Sequence, residues 1–542
     1  MLDHSQFLHI HAPNRSLSGI DGFYCLPFSF QSFMMDTRQD VFMCILLSTL
    51  NARYAHASLG LRYLMANMGD LQKQTKLQEF VIGGDIAVIA EKILLQKPAI
   101  LGLGVYIWNV EDTTKLVALL KTVAPDIRII LGGPEVSYET AHQPLTELAD
   151  YVIKGWGEVT LPWLCRNILE NRRPANKIHE GVQAALDSLI MPYSFYTAED
   201  IAHRTLYVEA SRGCPFRCEF CLSSLDKTAW TFDTEKFLHE METLYQRGAR
   251  SFKFVDRTFN LNVKRSLQIL HFFLEKLENE SGNPIFVHFE LVPDHLPDAL
   301  KDAISRFPPG TLQLEIGVQT FNPEVQANIS RKQDNKKSEE NLRWLSRHSH
   351  AHLHADLIVG LPGEDIASFG RGFDRLVRIG PDEIQVGILK RRRGTPILRH
   401  TDGYELTFDP ASPYSVLSTA DIGFNDMQRL KRFARYWDLI ANSGRFVKTL
   451  PYILQDEPFA RFLALSDWIY EKTNAMHGIS LERLASLITE WLSLNGEEVS
   501  VARTIVGADF IPRRQRNKMK AAQDVSSIKA TPIRQTRHMA TG

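Results

Sequence analysis

Nine residues, Gly213-Cys214-Pro215-Phe216-Arg217-Cys218-Glu219-Phe220-Cys221, hold three of the chain's six cysteines. The spacing is Cys-x3-Cys-x2-Cys, with an aromatic ring directly before the third. Three thiolates placed this closely can hold three irons of a 4Fe-4S cube and leave the fourth iron open. An open iron can be chelated by the amine and carboxylate of a small molecule. Two plainer readings stand beside this one. Offsets of four and three would align the cysteines on one helix face as packed thiols, although Gly213 and Pro215 favour a loop. A structural zinc site usually needs a fourth ligand and more often pairs Cys-x2-Cys knuckles; the nearby His203 and His239 lie outside any such pattern.

The triplet must be carried by a scaffold. Six strand-like runs recur at 205–211, 251–256, 285–291, 312–319, 352–359 and 383–389. Helical patterns near 233–247, 262–279, 297–307, 336–347 and 365–379 separate them. Six β/α units predict a partial (β/α)6 TIM-type barrel over 201–400, with chemistry at the carboxyl ends of its strands. The cysteine loop follows the first strand. Other strand ends bring Asp256-Arg257-Thr258-Phe259-Asn260, then Glu290, then Glu315 and Gln319, then Asp356 and the turn Gly360-Leu361-Pro362-Gly363-Glu364. Glu290 and Glu315 also fit an interior ion pair with Arg or Lys. After the sixth strand, Lys390-Arg391-Arg392-Arg393 reads either as a solvated turn or as an anchor for a carboxylate or another anion.

Upstream, 41–175 alternates apolar runs at 41–48, 77–82, 99–105, 127–132 and 150–153 with helical stretches near 58–68, 86–96, 111–124, 138–148 and 158–170. Continuous apolar strands between helices predict a five-stranded, doubly wound parallel α/β sheet of flavodoxin or Rossmann type. Ligands of such sheets bind at the carboxyl ends of the strands. The informative loops there are Asn51–Ser58, Tyr106–Asn109, Gly132-Gly133-Pro134-Glu135 and Gly155-Trp156-Gly157-Glu158. An ordinary flavodoxin-like sheet with tight turns and no special ligand is the plain alternative.

At 542 residues the chain is too long for one core. Hydrophobic residues make up 44%, as in a globular protein, and a net charge of −1 gives no pull toward nucleic acid or anionic membrane. No run of 18 apolar residues and no clear signal pattern occurs, so a soluble, cytoplasmic protein is expected, with no membrane partner and no nucleic acid. Cys25, Cys44 and Cys165 are scattered, which is no disulfide framework. Residues 1–40 read as a disordered extension, 176–200 as a linker, 401–512 as a helical C-terminal domain and 513–542 as a basic disordered tail.

The triplet with Phe220 resembles the motif of the radical S-adenosylmethionine (SAM) superfamily, whose open iron binds SAM and whose cluster cleaves it to a 5′-deoxyadenosyl radical. The preceding sheet, with its Gly-Gly-Pro-Glu and Gly-x-Gly-Glu turns, resembles the cobalamin (B12)-binding domain of the cobalamin-dependent members. The helical region after the barrel resembles an extension of unassigned function found in one group of them. The resemblance implies three cofactors. The 4Fe-4S cluster falls to Cys214, Cys218 and Cys221. SAM falls to Phe220, Asp256, Glu290, Glu315, Gln319, Gly360 and Pro362. Cobalamin falls to Asn51, Tyr54, His56, Ser58, Tyr106, Trp108, Gly132, Gly133, Pro134, Glu135, Gly155, Gly157 and Glu158. Many cobalamin domains carry Asp-x-His-x-x-Gly after the first strand; Tyr54 stands at the Asp position and Gly60 lies one residue too far, so that motif is absent. His56 is then either a cobalt ligand or a loop residue packed beside the corrin. The implied reaction is transfer of a methyl group from SAM, through cobalamin, to an unactivated carbon of a small-molecule or peptide substrate. A reductase with flavodoxin, or a ferredoxin, would supply electrons. The alternatives are cyclisation or rearrangement without methyl transfer, a non-catalytic cobalamin-binding protein, and, more remotely, a zinc-containing interaction protein.

Overall fold

The run expected at 41–48 becomes strand β1 a few residues later, at Ile45–Asn51, with all seven residues buried. A strand with helices on both faces is apolar along most of its length; Ile45, Leu46, Leu47 and Leu50 meet this, while the Thr49 hydroxyl is satisfied by the Gly104 carbonyl at 2.7 Å and the Asn51 amide by the His56 carbonyl at 2.9 Å. In the computed structural model, which describes residues 45–141, 143–226, 228–279 and 284–509, β1 sits inside a parallel sheet. Its companions are β2 (Thr75–Val81), β3 (Ile100–Gly104), β4 (Arg128–Gly132), β5 (Tyr151–Lys154) and β6 (Ile178–Glu180), in the order β2-β1-β3-β4-β5-β6. Winding reverses between β1 and β3, which opens a crevice at their carboxyl ends. Helices Ile86–Leu94 and Val110–Val123 cover one face through Ile89, Ile93, Leu116 and Leu120. Helices Leu59–Ala66 and Thr160–Leu169 cover the other through Leu61, Leu161 and Leu164. The expected extension 1–40 and tail 513–542 lie outside the described residues.

Two further details differ from the sequence reading. The sheet has six strands, not five: β6 comes from the segment expected as a linker and pairs parallel with β5 through Val152, Ile153 and Lys154. Its three residues, IHE, carry no apolar run, because an edge strand is held by main-chain pairing. The helix expected over 138–148 is only Pro144–Leu148, and a separate short helix, Pro134–Ser137, precedes the expected range. Pro144 has no N–H to give and its ring clashes with the preceding turn, so it starts a helix rather than continuing one.

The second sheet runs in chain order: β7 (Leu206–Val208), β8 (Ser251–Phe254), β9 (Phe286–Leu291), β10 (Leu312–Gln319), β11 (His352–Val359) and β12 (Glu383–Ile388). Every neighbouring pair is parallel, which gives the expected open (β/α)6 barrel. Strand side chains alternate between faces. Phe252, Val287, Phe289, Leu314 and Ala355 enter the apolar core under the helices. The alternate positions carry Tyr207, Lys253, His288, Glu290, Glu315, His354 and Asp356. A closed barrel of this type fills those positions with branched aliphatics; here about half of them are ionisable. The loop after β1 lies along the open edge, where the Thr205 N–H donates to the Ala55 carbonyl at 2.9 Å.

Beyond the barrel, helix Phe424–Ile440 lays Phe433 and Trp437 against Phe373 of the barrel, with ring centroids 5.0 and 4.7 Å away. The Asn442 side chain finishes the seam, accepting from Ile384 N–H at 3.1 Å and donating to Ile384 C=O at 3.0 Å. The aromatics of this basic helix are therefore packed on the barrel.

Candidate functional site

The cysteine loop leaves β7 through Gly213, at φ +91°, where a Cβ would stand 2.7 Å from the Ala229 nitrogen. Only glycine meets both conditions without strain. The Cys214 N–H then donates to the Asp226 carbonyl at 3.0 Å, and Cys221 N–H to Cys218 C=O at 3.1 Å. Cys214 and Cys218 are buried, Cys221 partly so, and all three are free thiols. Burial pushes the Cys214 thiol up to about 11 and raises Cys218 as well, although Arg331 works against the latter. The Arg331 guanidinium reaches Cys218 Sγ at 3.5 Å and also binds the Gly317 carbonyl. Arg257 and Arg392 act electrostatically on Cys221. Buried thiols facing three guanidiniums suit a group that needs them as thiolates and carries net negative charge. Among the described residues no three His, Cys, Asp or Glu converge as ligands of one metal ion. A cube spreads its three cysteines over three irons and does not require that convergence.

Below the loop the barrel lumen forms one charged network. Arg257 Nη1 meets Glu290 at 2.7 Å. His288 Nε2 lies 3.1 Å from Glu315, and Lys253 Nζ lies 3.9 Å from the same carboxylate. His354 Nε2 is 3.1 Å from Asp356. Burial lowers His288 to about 4, with Lys253 adding to the effect. Burial alone would raise Glu315, but His288 and Lys253 hold it well below the usual range. Glu290 is raised by burial against the pull of Arg257. Glu290 and Glu315 thus have the interior ion pairs that the sequence offered as their plainer reading.

The other SAM candidates are distributed around this network. Asp256 is fully enclosed at the end of β8, accepting from Ala210 N–H at 3.0 Å and from the Ser211 hydroxyl at 2.5 Å. Burial raises it to about 7 against those two bonds. It therefore fixes the exit of β7 just before the cysteine loop. Gln319 sits at the irregular end of β10 with φ +69°, its amide against Gly317. Gly360, at φ +85°, is pressed on Val416, and the Pro362 carbonyl accepts from Asn328 Nδ2 at 3.0 Å. Glu364 next to them takes the Thr320 hydroxyl at 2.6 Å and is raised to about 7 by burial. Phe220 is half-buried and packs on the main core.

The cobalamin candidates divide into two groups. Asn51, Tyr54, His56 and Ser58 join a buried ionic knot at the barrel edge. Asn51 Nδ2 and the Ser58 N–H bind Glu79 at 3.0 and 2.5 Å; Glu79 also pairs with Arg62 and Arg204. The Tyr54 hydroxyl bonds Glu199, and the Arg204 guanidinium lies over its ring at 4.7 Å. His56 Nδ1 meets the Tyr207 hydroxyl at 2.5 Å, which points the ring at the barrel; burial first, then Lys253, lowers it to about 4. The second group faces the cysteine side. Tyr106 and Trp108 stack at 4.4 Å, with Trp108 40% exposed. Gly132 ends β4 and Gly133 turns at φ +108° into the helix opened by Pro134. Glu135 accepts from Arg393 Nε at 2.7 Å and from the Tyr414 hydroxyl at 2.8 Å. The Gly155 N–H donates to Ser137 Oγ at 2.9 Å, Gly157 abuts Leu64, and Glu158 pairs with Arg212 at 2.7 Å. Trp156 Nε1 donates to Asp226 at 3.3 Å, the residue whose carbonyl holds Cys214.

The basic run divides its labour. Arg391 and Arg393 pair with Glu139, and Arg393 also with Glu135. Arg392 turns the other way, toward Cys221, Arg257 and Glu290. Sequence reading did not single out Arg212, Lys253, His288 or Arg331. Lys253 and His288 were discoverable as ionisable residues at every second position of apolar runs; Arg212 and Arg331 carry no local signal.

Three family models match the chain in succession. They are the B12 binding domain over 46–164, the radical SAM superfamily over 208–376 and a protein family of unknown function (DUF4080) over 402–538. The chain is therefore a radical SAM protein by its barrel and cysteine loop. The B12 binding domain precedes that barrel, which is the domain order of cobalamin-dependent radical SAM proteins. An uncharacterized methyltransferase, PH0819, of Pyrococcus horikoshii is 28% identical over 39% of this chain and 51% of its own. The cobalamin-dependent radical SAM methyltransferase TokK of Streptomyces tokunonensis is 25% identical over 54% and 47%. The chain spans about half the length of the curated relatives it matches. Among solved structures, OxsB with aqua-cobalamin bound aligns at a TM-score of 0.58 and 13% identity, over 91% of this chain and 83% of its own. TsrM of Kitasatospora setae aligns at 0.54 and 15%, over 68% and 81%. At these identities the likeness is one of fold.

Proposed function

We propose that this chain is a cobalamin-dependent radical SAM methyltransferase that adds a methyl group to a poorly nucleophilic carbon. The observation that carries the reading is the docking of the sheet's fifth loop on the cysteine loop, through Trp156–Asp226 and Glu158–Arg212. One protein thereby holds both candidate cofactor sites against a common wall. Relatives whose names specify methyltransferases, PH0819, TokK and 2-(S-pantetheinyl)-carbapenam-3-carboxylate methyltransferase, favour methyl transfer over the other outcomes.

Cys214, Cys218 and Cys221 hold the cluster, and Arg257, Arg331 and Arg392 offset its charge. SAM would be held by residues drawn from Phe220, Asp256, Glu290, Glu315, Gln319, Gly360 and Pro362. Cobalamin would be held at the carboxyl ends of the first sheet by Tyr106, Trp108, Gly132, Gly133, Pro134, Glu135, Gly155, Gly157 and Glu158, with Asn51, Tyr54, His56 and Ser58 as its further candidates. When bound, these groups supply a carbon-centred radical from SAM and a transferable methyl from cobalamin. The chain's own residues orient the substrate carbon between the two sites and exclude water, which is where the rate advantage of positioning arises. An electron donor and a small-molecule or peptide substrate complete the system. Among the described residues no helix is long and apolar enough to cross a membrane.

The test is anaerobic reconstitution with iron, sulfide and hydroxocobalamin, reduction with SAM, and chromatography for 5′-deoxyadenosine. We expect the nucleoside from the intact chain, none from Cys218→Ala, and about one cobalamin per chain. A product heavier by one methyl group supports transfer; a product of unchanged carbon count means ring closure or rearrangement instead. Intact SAM and no cobalamin would sink the reading.

A further inference from the structure

Glu219 lies inside the cysteine motif, between Cys218 and Cys221, yet points away from solvent, with 5% of its side chain exposed. Both carboxylate oxygens are doubly used. Oε1 accepts from the Ser330 hydroxyl at 2.5 Å and from Arg399 Nη2 at 2.5 Å. Oε2 accepts from Arg399 Nε at 2.7 Å and sits 2.9 Å from His400 Nε2. The main chain of the same residue is paired on both sides: its N–H donates to the Ile329 carbonyl at 3.1 Å, and its carbonyl accepts from the Ile397 N–H at 3.1 Å. Three separate stretches of chain meet at this one residue.

The fork of Arg399 matches the carboxylate in a two-point bond, which fixes orientation as well as distance. A lone buried carboxylate would be expensive; paired to Arg399 it is tolerated, and it is costly to break. Segment Pro396–His400 comes after the last barrel strand, immediately before the stretch matched by the family of unknown function. That stretch anchors it from behind: the Ala420 N–H donates to the Tyr404 carbonyl at 2.8 Å, and Tyr404 N–H to His400 C=O at 3.0 Å.

We propose that Glu219 is a positioning residue for the cluster, and that segment Ile397–His400 is the strap that holds it. The strap fixes the Cys218–Cys221 half of the triplet from its outer side. Arg331, on the other side, reaches Cys218 directly. The region after the barrel thereby acts on the electronic environment of the cluster, in addition to any part it plays at the barrel mouth. Carboxylate partners behind metal ligands typically affect metal affinity or activity by roughly 10- to 100-fold when removed. The inference rests on the proposed cluster at Cys214, Cys218 and Cys221.

The experiment reconstitutes the full chain and its E219Q and R399Q variants anaerobically, and reads the cluster without turnover. Glutamine keeps the shape of Glu219 but turns an amide toward donors. Arg399 is 59% exposed, and in its absence the Ser330 hydroxyl and His400 remain on the Glu219 carboxylate, so R399Q is the second variant should E219Q fold poorly. We expect both variants to bind cobalamin as the parent does. We expect both to lose iron to a chelator roughly tenfold faster or more, and to show an altered electron paramagnetic resonance signal of the reduced cluster. We expect the cluster's midpoint potential to move in the positive direction for E219Q and in the negative direction for R399Q. Opposite movement is what removal of opposite charges demands, and a merely structural lesion would move both the same way. Parent-like iron retention, resonance and potential in R399Q would overturn the proposal while leaving the cluster intact. Failure of the parent chain to take up iron would instead bring down the functional reading, and this inference with it.

Discussion

Glu158 and Arg212, 54 residues apart in the chain, meet at 2.7 Å, and this contact ties the fifth loop of the first sheet to the residue two places before Cys214. Arg212 is also paired with Glu209 at 3.0 Å and lies over the rings of Trp156 and Tyr63 at 4.5 and 4.8 Å. The guanidinium is thus enclosed by two carboxylates and two aromatic faces that belong to different parts of the chain.

Removing it leaves two carboxylates inside the protein without a counter-charge. Arg212→Met should lower the stability of the full chain by about 3–5 kcal/mol, as for other buried pairs broken on one side. Chemical denaturation measures this. A loss below about 1 kcal/mol would mean that the pair behaves as a solvated surface contact.

His56 separates two placements of the loop after β1. Its Nδ1 is held by the Tyr207 hydroxyl of the first barrel strand at 2.5 Å, and the Asp-x-His-x-x-Gly pattern of cobalt-ligating loops is absent around it, so we take it as a packing residue rather than a ligand. We expect His56→Ala to leave the visible spectrum of bound cobalamin unchanged at pH 7.5. A shift of the cobalamin bands in the variant would place His56 on the metal through Nε2, with Nδ1 still bonded to Tyr207.

Asp256 should leave a signature in the pH dependence of stability. Burial raises its folded value to about 7, above the ordinary 3.8. Between those limits the folded chain holds the proton more tightly than the unfolded chain, so this group makes stability fall as pH rises from about 4 to about 7, and adds no slope beyond. Asp256→Asn removes that contribution. The melting temperature of the variant relative to the parent should therefore improve from pH 5 to pH 7; parallel curves would show that Asp256 is ionised throughout.

Gly133 makes the tight turn that follows β4. It has φ +108°, and a Cβ there would lie 2.5 Å from the Val105 carbonyl oxygen, an atom that cannot move aside. Gly133→Ala should cost about 1–3 kcal/mol through backbone strain. It should also reduce the cobalamin that stays with the protein on gel filtration. Full retention with an unchanged melting temperature would show that the turn can relax.

Much of this architecture could be read before any coordinates. The Cys-x3-Cys-x2-Cys spacing marked the candidate cluster loop, since its three thiols lie within one short segment. The two sets of apolar runs gave a doubly wound sheet followed by a six-unit barrel, because helix and strand periodicities are local properties. Strand β6 escaped notice for the converse reason: a three-residue edge strand depends on main-chain pairing and leaves no pattern of side chains.

What only the tertiary structure decided is the company each charged group keeps. Composition and spacing gave Glu135, Glu158, Glu290, Glu315 and Arg391–Arg393 no definite partners. In the folded chain Glu135 and Glu158 reach across to Arg393 and Arg212, while Glu290 and Glu315 close on Arg257, His288 and Lys253. Glu219 has its carboxylate held by Arg399, which follows it by 180 residues. Ion pairs form between groups that the fold brings within a few ångströms, in an interior where water no longer screens them. Sequence supplied the charges and the frame; distance and burial, set by packing, determined which charges act on the cysteine loop.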